Sequence, residues 1–244
     1  MKPLIQLFLL FFIVTMLAGI NIEASEVDIL KHLKTEKACC GCDLKGINLV
    51  GYRLMDVDLT GADLTGANLA MSNLKRAILK NADLSFSNLQ SVNLKDADME
   101  KAIFHGADLY KTFLMGAKLG KTDLTRTNME GSYLLSADLK GADLTGALLK
   151  KAKFIRADLS HSRLNNSDLA DADFTDAQLN GSDLSAANLG GADFTRADMR
   201  KVNLKGAYLM QDGKKANFTG CNLEQAIWID GNICRQGSFG RCIK

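Results

Sequence analysis

The sequence predicts an all-β solenoid, in which short extended segments and sharp turns coil around a narrow apolar interior. Three observations predict it. From Leu44 to Leu209 every fifth residue is Leu, Met or Phe, 34 positions without a break, of which 27 are Leu, three Met and four Phe. The residue two places earlier is usually small, as at Ala62, Ala67, Ser72, Ala82, Ala97 and Ala107, and the residue one place earlier is Asp or Asn in 23 of the 34 repeats. The single proline is Pro3, so every residue of the periodic region retains the N–H that a backbone ladder needs.

A five-residue step fits neither the 3.6 of a helix nor the 2 of a strand. It does fit a short extended segment followed by a right-angle turn. The central Leu and the small residue two places before it then both point inward, and a larger side chain at the small place would collide near the corner. The Asp or Asn between them points outward, within reach of turn amides. Gly two places after the Leu, as at Gly46, Gly61, Gly66, Gly141 and Gly146, supplies φ > 0. Because Lys, Arg and Asp also occupy that place, the expectation is a mixture of turn types. Leu64, Leu84, Leu124, Leu144, Leu164 and Leu184 are expected to stack as one column of the core.

The pattern A-(D/N)-L-x-x resembles the pentapeptide repeat family over nearly the whole chain after residue 38. The resemblance implies a right-handed quadrilateral parallel β-helix with four repeats, or 20 residues, per coil. At about 4.8 Å per coil, 34 repeats make a rod roughly 40 Å long. Repeats are assigned to 38–233, with a loop at about 210–216 where the period slips between Leu209 and Phe218. Residues 25–37, with Val27, Leu30 and Leu33 at helical spacing behind Ser25, are expected to form a short N-terminal capping helix. Such a cap would cover the raw edge of the first coil.

All six cysteines lie at the two ends: Cys39, Cys40 and Cys42 against Cys221, Cys234 and Cys242. Cys234 and Cys242 are expected to close a short disulfide loop in a C-terminal tail, 234–244, which resembles the cysteine-bearing tails of exported family members. Cys39 and Cys42 resemble the paired cysteines that open such members and imply a second disulfide. A redox-active C-x-x-C and a zinc site using His32 are the competing readings of that cluster. Cys221 falls at a small inward position and reads as a buried thiol. A Cys40–Cys221 bridge would have to cross most of the rod, whereas bonded Cα atoms lie within about 7 Å.

Residues 1–24 read as a secretory signal peptide, with Lys2, an apolar run from Leu4 to Gly19, and Ala24 before a cut at Ser25. The run is shorter than the roughly 20 residues of a membrane span and carries Gln6 and Thr15, so no stable membrane anchor is expected after cleavage. Retention as an anchor is the competing reading. Together with the cysteines, the signal points to an exported protein, periplasmic or secreted and bacterial.

The net charge is +2, which gives no reason to expect a nucleic-acid partner. The three histidines are His32, His105 and His161; they recur beside no fixed Ser or Cys, and the repeat position accounts for each Asp. No enzyme activity, cofactor or metal site is expected. Residues 20 apart share a wall, and on one wall Phe113, Met115, Tyr133, Leu135 and Ile155 fall outward where other coils carry polar groups. They form the candidate interaction patch, with cross-coil packing as the alternative reading. Asn48, Asn68, Asn88, Asn128 and Asn188 share a column expected to be an amide ladder, and Thr65, Ser85, Thr125, Thr145 and Ser185 share a hydroxyl column. The function expected is a non-catalytic exported scaffold for an unknown protein partner. The alternative, taken from the resemblance, is a DNA mimic that binds or inhibits DNA gyrase or another nucleic-acid enzyme; the charge and the signal argue against it.

Overall fold

The computed structural model describes Leu33 and residues 35–244, and its periodic unit begins at Lys37. The expected signal peptide, His32 and most of the expected capping helix lie outside the described residues; Leu33 and Thr35 have helical backbone.

Four walls make each coil. They are centred on Leu44, Leu49, Leu54 and Leu59, called the first to fourth, and repeat at intervals of 20. Parallel bridges link each outward residue to the one 20 places on, from Ala38↔Asp58 to Asn188↔Tyr208. Bonds run both up and down the stack: the Leu59 N–H donates to the Ile78 carbonyl at 2.7 Å, and the Asp63 N–H to the Cys42 carbonyl at 2.9 Å. The central residues from Leu44 to Leu204 are buried, Leu64, Leu84, Leu124, Leu144, Leu164 and Leu184 completely so. From Phe154 the third wall carries rings inside: Phe154, Phe174, Phe194 and Phe218 stack with centroids 4.8, 4.9 and 5.2 Å apart, and Trp228 meets the last edge-on.

The corners correct the expectation of mixed turns. Every fifth residue from Gly41 to Gly206 has positive φ, whether it is Gly or a residue such as Asp56, Met71, Phe86, Lys101, Arg126 or His161. The residue before it does not, and the turn closes i to i+3, as in Ala62 N–H to the Leu59 carbonyl at 3.0 Å. That combination is a type II turn. Left-handed backbone costs a non-glycine residue about 1–2 kcal/mol. The stack offsets this because the corner N–H also has a fixed acceptor in the next coil, as from Arg76 to the Lys95 carbonyl at 2.9 Å. The outward Asp and Asn accept from the amide two residues on, as Asp58 does from Thr60 at 2.9 Å.

Two departures end the repetition. Asp193 pairs with Asn217, 24 residues away, because four extra residues are extruded. They form not a loop but a hairpin: β1 (Met210–Gln211) pairs antiparallel with β2 (Lys214–Lys215). Asp212 (φ 51°) and Gly213 (φ 75°) give it the type I′ turn that matches strand twist. Beyond Ile229 the chain reverses, and the tail pairs antiparallel with the last coil at Asn222↔Phe239 and Ile227↔Ile233. The Leu223 and Gln225 amides, which would otherwise await another coil, donate to the Ser238 and Cys234 carbonyls at 2.8 and 2.9 Å.

Candidate interaction surface

The patch named from the sequence lies on the third wall. Phe113 and Tyr133 pair across adjacent coils, their rings nearly parallel (8°) with centroids 5.3 Å apart. They stay 38% and 40% exposed. Met115, Leu135 and Ile155 stand beside them on three successive coils, half-buried rather than fully outward. The column is bounded by Asn93 on one side and on the other by Lys153, which is 3.6 Å from Asp173. The surface thus joins an aromatic pair and an aliphatic ladder to a polar rim. It offers apolar area and no reactive group.

At the corner that follows this wall, acids and bases alternate in two runs, Asp56–Arg76–Asp96 and Arg156–Asp176–Arg196, with Gly116 and Ser136 between them. Arg76 is bidentate to Asp56, at 2.6 and 2.8 Å, and Arg196 to Asp176, at 2.6 and 2.7 Å. Each guanidinium holds its carboxyl below the usual range, chiefly by direct hydrogen bonding. Sequence reading missed this ladder, although the alternation Asp56, Arg76, Asp96 at intervals of 20 is its signal.

It also missed Phe86. Phe86 sits at a left-handed corner, 65% exposed, between the corner glycines Gly66 and Gly106, and packs edge-on against His105 at 5.4 Å. The signal was a large apolar residue at a place held mostly by Gly or polar groups. His105 Nδ1 lies 2.7 Å from the Thr125 hydroxyl, which itself donates to Asp123 at 2.6 Å. Imidazole Nδ1 is therefore the donor.

The polar columns are locally satisfied. Thr65, Ser85, Thr125 and Thr145 turn their hydroxyls onto Asp63, Asp83, Asp123 and Asp143, so they present no free hydroxyl array. In the Asn column, Asn128 donates to Asp108 at 3.0 Å, and Asn188 donates to Asp168 at 2.8 Å and also to Gln211. A continuous amide ladder was expected there. Charged acceptors replace it, and a charge-assisted bond is stronger than an amide pair.

Cys39 is bonded to Cys42, and Cys234 to Cys242. Cys40 is exposed and free; burial and the neighbouring Asp58 raise its pKa and keep it a thiol. Cys221 is fully buried, and desolvation pushes its thiol up to about 12.

The repeats define the class. Family models described as pentapeptide repeats (8 copies) match residues 39–81, 77–114 and 114–150, and one described as a pentapeptide repeat region matches 147–228. The chain belongs to the pentapeptide repeat family, whose fold is the right-handed quadrilateral β-helix. Among solved structures it is similar to HetL, a pentapeptide repeat protein involved in heterocyst differentiation regulation from the cyanobacterium Nostoc sp. strain PCC 7120. The identity is 31% over 84% of this chain and 98% of HetL, with a TM-score of 0.40. It is also similar to Rfr23 of the cyanobacterium Cyanothece 51142, at 24% identity over 59% of this chain and 94% of that one, TM-score 0.27. Full-length QnrB1, a plasmid-mediated fluoroquinolone resistance protein, is 16% identical over 73% of this chain and 93% of its own, TM-score 0.28. No curated protein sequence matches the chain.

Proposed function

We propose that the chain is an exported, non-catalytic scaffold that holds a protein partner against its third wall. The exposed Phe113–Tyr133 stack carries this reading. Two parallel rings on adjacent coils, flanked by Met115, Leu135 and Ile155, form an anchor of the aromatic kind that dominates protein interfaces. Export is supported by the disulfide at each end of the stack, chemistry that persists in oxidising compartments.

DNA mimicry fits less well. A duplex presents an uncompensated charge about every 1.7 Å. Here Asp56 and Asp176 of the corner column are neutralised one coil away by Arg76 and Arg196, and the net charge is +2.

Tyr133→Lys combined with Leu135→Lys tests the surface. Crosslinking pull-downs from the exported fraction should lose the partner while the β-rich circular dichroism and melting curve stay intact. Retention of the partner would reduce the patch to cross-coil packing. Fusing residues 1–38 to a reporter active only outside the cytoplasm tests the address separately, and a cytoplasmic result would reopen the DNA-mimic reading.

A further inference from the structure

The C-terminal end of the stack combines cations with exposed apolar side chains. Residues 231–244 contain Arg235, Arg241 and Lys244 and no acid; the chain's +2 minus this +3 leaves −1 for the preceding 230 residues. Lys244 is paired with Asp230, and Glu224 accepts the Gly237 amide at 3.0 Å. Arg235 and Arg241 have no acidic partner among the described residues.

Three large apolar side chains of the same segment are exposed: Ile233, 65%, Phe239, 58%, and Ile243, 40%. Their positions are fixed. Ile233 and Phe239 are held by antiparallel bridges to Ile227 and Asn222, and the Arg235 N–H donates to the Ile243 carbonyl at 2.8 Å. The Ser238 hydroxyl ties Arg235 to Ile243 from the other side, accepting from the Ile243 amide and donating to the Arg235 carbonyl, and Cys234–Cys242 closes the loop. A segment whose backbone is already held in place loses less entropy on docking than a disordered one.

We propose that this end docks on membranes carrying anionic phospholipid headgroups. Arg235 and Arg241 bind the headgroup phosphates while Ile233, Phe239 and Ile243 enter the boundary with the acyl chains. Aliphatic and aromatic groups beside unpaired cations suit such an interface. A nucleic acid or an acidic peptide would use the cations and leave the apolar side chains in water. Contact is peripheral and salt-sensitive, since two cations and three side chains bind far more weakly than a spanning helix.

The chain's only tryptophan, Trp228, lies in the last coil against Phe218 and reports on this end alone. The full chain is mixed with vesicles bearing brominated acyl chains, made of phosphatidylcholine with or without phosphatidylglycerol. Trp228 emission should be quenched only when phosphatidylglycerol is present, and salt at about 0.5 M should reverse the quenching. Arg235→Glu with Arg241→Glu should raise the lipid concentration for half-quenching at least about tenfold. Phe239→Ser with Ile243→Ser should abolish quenching with the melting curve unchanged. Sedimentation with vesicles while Trp228 stays unquenched would assign membrane binding to another segment and overturn the proposal. So would equal quenching by neutral vesicles, or a lipid-free dimer by light scattering that Phe239→Ser dissociates, which would make this end a contact between copies.

Discussion

Between Ala38 and Tyr208 the chain solves one problem repeatedly, whereas between Met210 and Lys244 it solves three different ones once each. In the first region a single backbone recurs: inward Leu, type II corner, parallel bonds to both neighbouring coils. In the second, a hairpin absorbs four extra residues, a reversed tail pairs antiparallel with the last coil, and a disulfide fastens that tail. Parallel stacking supplies its own partners everywhere except at an end. Stopping it requires a segment running the other way, and that segment cannot share the repeat. Stability in the regular region is therefore a sum of neighbour contacts, while the end depends on a few individual bonds.

The sharpest way to break this contrast is inside the regular region. Leu144→Asp removes a fully buried side chain and leaves a charge between two coils, with an expected loss above about 4 kcal/mol and no cooperative melt by circular dichroism. A melt like that of the wild type would refute the interior assignment. Next, Cys234→Ser with Cys242→Ser should cost about 2–3 kcal/mol in urea unfolding. Amide exchange should accelerate first at Leu223 and Gln225, whose bonds the tail supplies. Uniform acceleration along the whole stack would mean that the end is not a separate unit.

Gly190→Ala is smaller and more local. A Cβ there would lie 2.4 Å from Gln211 Cβ and 2.5 Å from its nitrogen, so the hairpin must lift off the second wall. The expected cost is about 1–3 kcal/mol, with faster exchange confined to 208–216. The smallest effect concerns the corner ladder. Asp56 and Asp176 have carboxyls held below their usual value in the folded chain, so their stabilisation is present above the unfolded value near 4 and is lost as pH falls through the folded one. Asp176→Asn should lower the melt at pH 7 slightly at low salt and flatten the acid limb by the same amount, so that variant and wild type converge in acid. An unchanged acid limb would show that the pair contributes nothing.

The interior was legible because the five-residue Leu period has one geometric meaning. The Phe113–Tyr133 stack was equally legible, since a shift of 20 residues fixes which side chains meet. Corner geometry was not. Gly46 and Lys101 suggest different turns when each is read alone, and it is the bond to the next coil that forces one conformation on both. The hairpin did carry a local signal, Asp212–Gly213 between two short polar strands, but the break in periodicity made it read as a loop. Antiparallel pairing of the tail had no signal to read, because once the period ends, spacing no longer says which residues are neighbours. Half-burial of Met115, Leu135 and Ile155 likewise depends on how the corners lean, a property of three dimensions.

The uniform corner has a further consequence. Since one backbone carries glycine, lysine, aspartate, phenylalanine and histidine at the same place, the scaffold is indifferent to what it displays there. Each outward position becomes an address on a lattice with a fixed vertical spacing, and a substitution changes the chemistry shown at that address on the same backbone. A Cβ at Gly106 or Gly181 must, however, displace the Phe86 or His161 ring one coil away. Recognition could then be rewritten residue by residue on an unaltered frame, a freedom that a globular protein with interlocking surface loops does not have.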